Sequence, residues 1–328
     1  MKKSIAIIII ILAGAMNVVL CACNDKTTSV FPAKNINCIV QWGAGGGTDS
    51  LMRPLATLAE QELSSALVVQ NMPGATGSIA AQYVYDAPID GYTLLMSAEN
   101  PTLYQALGIS ELTYADFDCL FLIGDETVGI VVKKDAAFIS FTDIVQAVQD
   151  KPNSIKLSTT GKGGLPWEVG AFIQDVTGAK FNQIPYDSDA SARNAVLSGE
   201  CDFTICKVQS GLEYHREGTL KFLCMFSLEP VEILNEVPAI IEEYPEFARY
   251  LPWGPFYGVF VKQGTDLAIC QKLSSALATA AATPFYQEVL TNYNINYLGL
   301  SGLAAREYIE TWQTNTVQAL ENSGALTR

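Results

Sequence analysis

The 328-residue sequence has little positive charge and almost no imidazole. It contains 20 Lys and Arg residues against 34 Asp and Glu residues, for a formal net charge of −14, and its one histidine is His215. Nucleic-acid binding needs clustered Lys and Arg side chains, and the sequence has no such cluster, so nucleic-acid partners are excluded. A single histidine also removes most metal sites and most histidine-dependent nucleophilic catalysis.

Motifs of catalysis are equally scarce. No Gly-x-Ser-x-Gly nucleophile motif occurs. His215 lies in a polar stretch that predicts the end of a helix, where we expect it to be a surface side chain. The sequence therefore predicts a protein that is not an enzyme and that has neither a cofactor nor a metal site.

Only one long apolar run occurs, at the amino terminus. Lys2 and Lys3 precede it, which is typical of a secretory signal peptide, predicted here over residues 1–22. The run ends in Leu20-Cys21-Ala22-Cys23, which resembles a bacterial lipobox with Cys23 as the acylated residue. An uncleaved transmembrane anchor is the alternative, since the run approaches the ~20 residues that span a bilayer. Both interpretations place the globular part outside the cytoplasmic membrane, in the periplasm or on the cell surface, behind a polar tether at 23–35.

The remaining cysteines form no Cys-x-x-Cys pair. A chain of this length does not need a disulfide framework, so we expect them to be small buried apolar side chains. Cys201 and Cys206 flank a short strand and are not expected to bond to each other. The six residues are Cys38, Cys119, Cys201, Cys206, Cys224 and Cys270.

Composition and periodicity indicate the fold class. Hydrophobic residues make up 49% of the chain and charged residues 16%, enough to bury a large core, and the length suggests two domains. Short β-rich runs alternate with segments of helical periodicity, which predicts an α/β chain with largely parallel sheets. Strands are predicted at 36–42, 67–69, 92–96, 120–123, 129–132, 155–158, 182–184, 202–205, 222–226 and 256–261. The clearest helices are predicted at 49–63, 142–150, 167–177, 189–198, 266–282 and 302–322.

Four loops that lead from a strand into a helix carry the candidate binding residues. They are loop one (41–49), loop two (71–78), loop three (158–167) and loop four (184–189). Ligands of open α/β sheets bind outside the carboxyl ends of the strands, where all four loops are predicted to lie. Glycines in such loops let backbone N–H groups converge on an anion at a helix N-terminus.

Loop one does not fit a nucleotide site. Thr48 stands where a dinucleotide fingerprint beginning at Gly43 needs glycine, and no lysine completes a P-loop. Asp49 is predicted to be a helix N-cap, with direct ligand contact as the alternative. Arg53 is predicted either to form a surface ion pair or to bind a ligand carboxylate.

These residues resemble the extracytoplasmic solute receptors of tripartite tricarboxylate transporters, the Bug-type receptors. The resemblance covers essentially the whole mature chain. It is carried by Gly45-Gly46-Gly47-Thr48-Asp49 with Arg53, by Asn71-Met72-Pro73-Gly74-Ala75-Thr76-Gly77, by Asp90-Gly91-Tyr92-Thr93-Leu94-Leu95, by Ile184-Pro185-Tyr186, by Leu197-Ser198-Gly199-Glu200-Cys201-Asp202 and by Pro252-Trp253-Gly254.

The resemblance implies a two-lobed periplasmic-binding-protein-like (type II) fold with a hinge and a ligand cleft. One lobe would comprise 36–125 and 254–328 and the other 126–253, with crossings near 124–128 and 252–257. The implied ligand is a small carboxylate-bearing organic acid, delivered by a lipid-tethered monomer to membrane permease subunits; presentation to a membrane sensor is the alternative. The implied ligand-binding residues are Gly45, Gly46, Gly47, Thr48, Asp49, Gly74, Thr76, Gly77, Ser78, Ser97, Thr160, Gly161, Gly163, Tyr186, Ser188 and Asp189.

The sequence also departs from the family pattern. Gln41-Trp42-Gly43-Ala44 replaces the usual aromatic residue and proline before the glycines of loop one. Loop three usually carries Gly-x-Gly, a hydroxyl residue and then His-Leu, but here it reads Gly161-Lys162-Gly163-Gly164-Leu165-Pro166-Trp167. In the lobe opposite loops one and two, Lys162 is a candidate positive group for the ligand. Asp187 and Asp189 instead introduce negative charge where the family more often carries lysine. Two aspartates would repel a second ligand carboxylate and attract an ammonium group, unless they only cap the helix that begins there. This charge pattern predicts a monocarboxylate, including zwitterions, ahead of tricarboxylates.

Overall fold

The computed structural model describes residues 31–186 and 188–326. The predicted signal peptide, Cys23, the tether up to residue 30, and Asp187 lie outside the described residues. The strands are β1 (Ile36–Val40), β2 (Leu67–Asn71), β3 (Thr93–Ala98), β4 (Phe117–Glu126), β5 (Val128–Lys133), β6 (Lys156–Thr159), β7 (Asn182–Pro185), β8 (Phe203–Lys207), β9 (Leu220–Met225), β10 (Phe256–Lys262) and β11 (Ile295–Leu300). The helices are α1 (Gly47–Leu63), α2 (Ser78–Asp86), α3 (Tyr104–Leu107), α4 (Phe141–Asp150), α5 (Leu165–Thr177), α6 (Asp189–Ser198), α7 (Val208–Arg216), α8 (Ile240–Glu243), α9 (Leu267–Ala281), α10 (Pro284–Asn292) and α11 (Gly302–Asn322).

The chain from Lys34 onward forms one compact unit built on two sheets. The first lobe contains a six-stranded sheet in the order β11-β4-β10-β3-β1-β2, and the second lobe a five-stranded sheet in the order β7-β6-β8-β5-β9. No helix of this described part is long and apolar enough to cross a membrane.

Both sheets are mixed, so the expectation of largely parallel sheets is only partly correct. In the first sheet β1 is parallel to β2 and β3, while β10 runs antiparallel to β3 and β4. In the second, β6 is parallel to β7 and β8, while β5 is antiparallel to β8 and β9. The antiparallel strands β4, β5 and β10 are those next to the crossings between the sheets. No strand-helix-strand unit joins any of them to its antiparallel neighbour, and such units are what impose parallel pairing.

The chain crosses between the sheets at two adjacent places. Only Thr127 separates β4 from β5, and the second crossing precedes β10. The two crossings bond to each other, because the Glu126 N–H donates to the Pro255 carbonyl at 3.0 Å. The predicted lobe boundaries are 125/126 and 253/254. In the structure β4 of the first sheet ends at Glu126, β5 of the second begins at Val128, and β10 begins at Phe256. That these boundaries separate bodies that move relative to each other stays a prediction.

The last helix, α11, covers the second crossing. Trp312 stacks on Trp253 with ring centroids 5.5 Å apart and planes 17° apart. Trp312 Nε1 donates to the Gly254 carbonyl and Trp253 Nε1 to Thr316 Oγ1, each at 2.8 Å. Both indoles are therefore buried with their N–H groups satisfied, as aromatic packing in a core requires. The residues predicted to share the inner face of α11 are buried: Ile309, Trp312, Thr316 and Leu320.

The described cysteines are all free thiols. Cys38, Cys201, Cys206 and Cys224 are buried, in agreement with the prediction of small apolar side chains, while Cys119 and Cys270 are half-buried. Burial raises the pKa of the thiol at Cys206 to about 12, so this group stays protonated and unreactive at neutral pH.

The close approach at the crossing yields a prediction for Gly254→Ala. A Cβ at this position would lie 2.3 Å from the Glu126 carbonyl oxygen, and backbone cannot move aside cheaply. We expect a loss of at least about 2 kcal/mol in the free energy of unfolding, measured by urea denaturation. Gly43→Ala is the matched control, because a Cβ there meets no atom within 4 Å. Equal stability of the two variants would contradict this account of the crossing.

Candidate ligand-binding site

A cavity of about 590 Å³ lies between the lobes. Each segment that lines it lies at or beyond the carboxyl end of a strand that pairs in parallel with a neighbour, namely β1, β2, β3, β6, β7 or β8. This is the edge at which the sequence placed all four loops. The lining residues are Trp42, Gly43, Ala44, Gly46, Gly47, Thr48, Thr76, Ala98, Glu99, Asn100, Thr160, Lys162, Gly163, Gly164, Leu165, Ser188, Asp189, Ala190 and Lys207.

A larger cavity of about 1080 Å³ opens in the first lobe, between β4, α9 and α11. It is lined by one lobe only. Its charged lining residues are Asp118, Arg306 and Glu310, of which Arg306 and Asp118 form an ion pair at 3.7 Å. The smaller cavity is the stronger candidate because polar groups of both lobes converge on it.

Three helices begin at the cavity wall. α1 begins after the N-cap Gly46 and α5 after the N-cap Gly164, and neither N-cap supplies a side-chain hydrogen bond. The first N–H groups of a helix have no partner within the helix, so these ends are free to bind an anion. α6 begins after Ser188, whose hydroxyl accepts the Ser191 N–H at 3.1 Å. Ser188, and not Asp189, is therefore the cap of α6.

Asp49 fixes loop one from inside the protein. Its carboxylate accepts the Gly45 N–H at 3.0 Å, the Asn71 amide at 2.9 Å and the Arg53 guanidinium at 2.6 Å. Desolvation opposes ionisation, but the hydrogen bonds from Arg53, Gly45 and Asn71 outweigh it and lower the pKa of Asp49. The predicted N-cap role is wrong, because Gly46 is the N-cap and Asp49 lies in the first turn. Of the two alternatives for Arg53, the ion pair is the one observed.

Loop two contributes Thr76 alone to the cavity lining. Thr76 has φ 54° and ψ 34°, a left-handed conformation that is costly for a β-branched residue. The Tyr104 hydroxyl donates to its carbonyl at 3.0 Å and stabilises this turn. Gly77 follows with φ 86°, and a Cβ there would lie 2.8 Å from Gln41 Cδ. Loop two therefore needs glycine at 77 to pack on loop one.

The departure at Gln41 is accommodated by a buried polar network. Gln41 Nε2 donates to Asn100 Oδ1 at 2.8 Å, and Gln41 Oε1 accepts the Ser97 hydroxyl. Tyr114 donates to Ser97 Oγ at 3.1 Å. Buried polar groups need such partners, and Gln41 and Ser97 satisfy this need by hydrogen-bonding to each other. Ser97, which the resemblance placed in the ligand site, lies behind the cavity wall.

Lys207 forms the floor of the cavity and was not among the predicted site residues. Its Nζ donates to the Tyr257 hydroxyl at 2.7 Å and lies 3.5 Å from Glu126 Oε2, which also accepts from Tyr257 at 2.8 Å. Desolvation would lower the pKa of Lys207, but Tyr257, Glu126 and the nearby Glu99 raise it, so Lys207 stays charged. The signal for it in the sequence is its position just beyond the strand predicted at 202–205, after Cys206.

The predicted ligand-binding residues divide into two groups. Gly46, Gly47, Thr48, Thr76, Thr160, Gly163, Ser188 and Asp189 line the cavity. The others are not among its lining residues: Gly45, Asp49, Gly74, Gly77, Ser78, Ser97, Gly161 and Tyr186. Tyr186 faces Cys201 instead, with its hydroxyl 3.4 Å from the sulfur.

His215 lies on α7, outside the cavity lining. Its Nδ1 accepts the Phe222 N–H at 3.2 Å and its Nε2 lies 3.1 Å from Glu236 Oε1. It is half-buried against Phe222 and so is not the free surface side chain that the sequence predicted. Elsewhere in the described chain, no three His, Cys, Asp or Glu side chains are grouped so as to hold a metal ion.

Two sheets joined by two adjacent crossings, with a cleft at their carboxyl edges, define the class of two-lobed α/β binding proteins. The model of the tripartite tricarboxylate transporter family receptor matches residues 51–316. The chain belongs to this family, whose members are solute-binding receptors of the Bug type and not enzymes. Family membership implies an extracytoplasmic location.

Individual relatives agree with this assignment. Protein BugT of Bordetella pertussis is 28% identical over 247 residues, which are 73% of this chain and 74% of BugT. The crystal structure of a TctC solute binding protein from Polaromonas is 25% identical with a TM-score of 0.74, over 89% of this chain and 99% of that chain.

Two proteins of Rhodopseudomonas palustris with bound ligands share the fold. MatC, with bound malate, is 20% identical with a TM-score of 0.71, over 90% of this chain and 99% of that chain. Rpa4515, with adipate, is 20% identical with a TM-score of 0.77, over 90% of this chain and 98% of that chain.

The pairing of Lys207 with Glu126 yields a prediction for stability. Lys207→Met leaves Glu126 buried without its cation, so we expect a loss of about 1–3 kcal/mol at about pH 8. The pKa of Glu126 is already raised in the folded protein, mainly by burial, and losing Lys207 raises it further. A carboxyl group whose pKa is higher in the folded than in the unfolded protein favours folding most when it is protonated, at low pH. The loss in unfolding free energy of Lys207→Met should therefore shrink towards about pH 5.

The double variant Lys207→Met/Glu126→Gln is the control. It removes both charges, and its unfolding free energy by urea titration should exceed that of Lys207→Met and depend less on pH. A pH-independent loss in the single variant would show that packing of the lysine stem, and not the charge pair, is responsible.

Proposed function

We propose that this receptor captures a small organic acid through a carboxylate and delivers it to the membrane components of a tripartite tricarboxylate transporter. The observation that carries the proposal is the convergence of the first turns of α1, α5 and α6, from both lobes, on one cavity. A helix N-terminus carries about half a positive charge and free N–H donors, which suit a carboxylate despite the net charge of −14. Distant surface charges are screened by salt within about 10 Å.

The size of the cavity and the ligands of relatives support this proposal. A volume of about 590 Å³ lies in the range of small-molecule sites. MatC binds malate and Rpa4515 binds adipate, and both ligands are dicarboxylates. The shared chemistry is the carboxylate, which is the part of the ligand that the helix N-termini would hold.

Closure of the lobes would complete the site. In the proposed motion, 36–125 with 254–328 moves against 126–253 about the paired crossings. A ligand that touches both lobes favours the closed state by its differential affinity for that state. The cavity lining supports this, because Gly46 and Thr48 come from one lobe and Thr160 and Asp189 from the other.

We further propose that the receptor acts as a monomer tethered by lipid on Cys23. The residues Leu20-Cys21-Ala22-Cys23 and the preceding apolar run support acylation at this cysteine. The tether at 23–35 would then leave the cleft free to meet the permease subunits.

Ligand binding and closure are tested together. A thermal-shift screen of organic acids and amino acids should find a carboxylate that raises the melting temperature, and the matching amide or ester should not. With that ligand at saturation, small-angle scattering should give a smaller radius of gyration than without it. Micromolar affinity corresponds to about −8 kcal/mol, enough to offset an open state favoured by a few kcal/mol.

The two readouts separate the two claims. If no carboxylate binds, the proposed function is wrong. If a carboxylate binds and the radius stays unchanged, hinge closure is wrong while the ligand class stands.

The lipid anchor has its own test. Metabolic labelling with a fatty-acid probe should mark the wild-type protein and should be lost in Cys23→Ser. Cys21→Ser is the matched control, since it changes the neighbouring cysteine and should retain the label. Label that persists in Cys23→Ser would reject the proposed anchor.

A further inference from the structure

Glu99 is a buried carboxylate in the lining of the cavity, and one of its oxygens is unpaired. It follows β3, lines the cavity and is 7% exposed. Its Oε2 has no hydrogen-bond partner, and its Oε1 has only a weak contact with Asn100 Nδ2 at 3.5 Å. Buried carboxylate oxygens in native proteins are normally hydrogen-bonded. A free buried acceptor in the wall of a ligand cavity therefore marks a contact that a ligand can complete.

The charges around Glu99 define what that ligand group must be. The charge of Lys207 acts on Glu99, but the hydrogen bond and the ion pair of Lys207 go to Tyr257 and Glu126. Asp189 lines the same cavity from the second lobe, and its charge raises the pKa of Glu99. Lys162 lies at the rim, exposed to solvent that screens it. An acidic wall thus stands in the same cavity as the free N–H donors of α1 and α5.

We propose that Glu99, with Asp189 on the opposite lobe, receives an amino group of the ligand and makes the receptor selective for amino acids over carboxylic acids that lack the amino group. This inference rests on the proposed function, because the helix N-termini hold the carboxylate of the same ligand. The proposal also agrees with the sequence prediction that the negative charges of Asp187 and Asp189 attract an ammonium group. Asp187 itself lies outside the described residues. Glu99 itself was not singled out from the sequence.

The ionisation of Glu99 gives the proposal a pH signature. Burial raises the pKa of Glu99 to about 7, with Lys207 opposing the rise and Asp189 and Glu126 adding to it. The other ionisable groups that act with it are Glu168, Tyr104 and Tyr114. Above this pKa Glu99 is a carboxylate that attracts an ammonium group, and below it Glu99 is neutral. Affinity for an amino acid should therefore rise with pH, whereas affinity for a dicarboxylate should fall, because ionised Glu99 repels the second carboxylate.

Isothermal calorimetry on the full chain tests this directly. The ligands are pairs that differ only in the amino group: alanine and propionate, leucine and 4-methylpentanoate, and glutamate and glutarate. We expect the amino acid of the binding pair to be preferred at least about tenfold at about pH 8, with a loss of several-fold at about pH 6. Glu99→Gln keeps the shape of the side chain and should lose about tenfold in amino-acid affinity and flatten the pH profile. Glu111→Gln removes the same charge from an exposed position and should change neither.

The outcomes distinguish this inference from the proposed function. Tighter binding of the acids without an amino group, or affinity for amino acids that falls with rising pH, would overturn the role of Glu99 and leave carboxylate capture standing. No binding of any ligand in either series, together with a negative screen of other carboxylates, would refute the proposed function itself. An unchanged melting temperature of Glu99→Gln would show that its loss of affinity does not come from misfolding.

Discussion

The floor of the cleft depends on one partly buried cation. Lys207, at the end of β8, reaches Tyr257 on β10 and Glu126 at the end of β4, beside the chain crossing. Taking a charge out of water is costly, and the cost is offset only where an opposite charge and hydrogen bonds are already in place. The Tyr257 hydroxyl supplies such a bridge by donating to Glu126 while it accepts from Lys207. This arrangement sets the polarity of the cavity, because the hydrogen bond and the ion pair of Lys207 go to Tyr257 and Glu126, and Lys207 acts on Glu99 only through its charge.

The sequence predicted the architecture better than the direction of its strands. Alternating strand and helix patterns and glycine loops indicated an α/β receptor with ligand-binding loops on one edge. They could not show that β4, β5 and β10 run antiparallel to their neighbours, because strand direction there depends on where the chain passes between sheets. Strand β11 and helix α10 were missed, since their short apolar runs carry little periodicity.

At the site, backbone features were more predictable than side-chain directions. Gly46, Gly47 and Gly163 were predicted from the loops and line the cavity. Whether a polar side chain faces the ligand or the interior depends on packing that one sequence does not reveal. The Ser97 side chain is hydrogen-bonded to Gln41, which lies where this sequence departs from the family pattern. Glu99 and Lys207 belong to no recognisable sequence motif. They reach the cavity because they lie at the carboxyl ends of β3 and β8.

The distribution of indoles gives the molecule an internal optical reporter. Of its four tryptophans, Trp42 lines the cavity, whereas Trp253 and Trp312 stack beside the crossing. Indole emission shifts with the polarity of its surroundings and with contacts to neighbouring rings. Occupancy of the cleft and the proposed movement at the crossing would therefore act on different chromophores of the unlabelled protein. Replacing Trp42 with phenylalanine would leave an emission signal dominated by the stacked pair and by Trp167, so ligand arrival and lobe movement become separable in time.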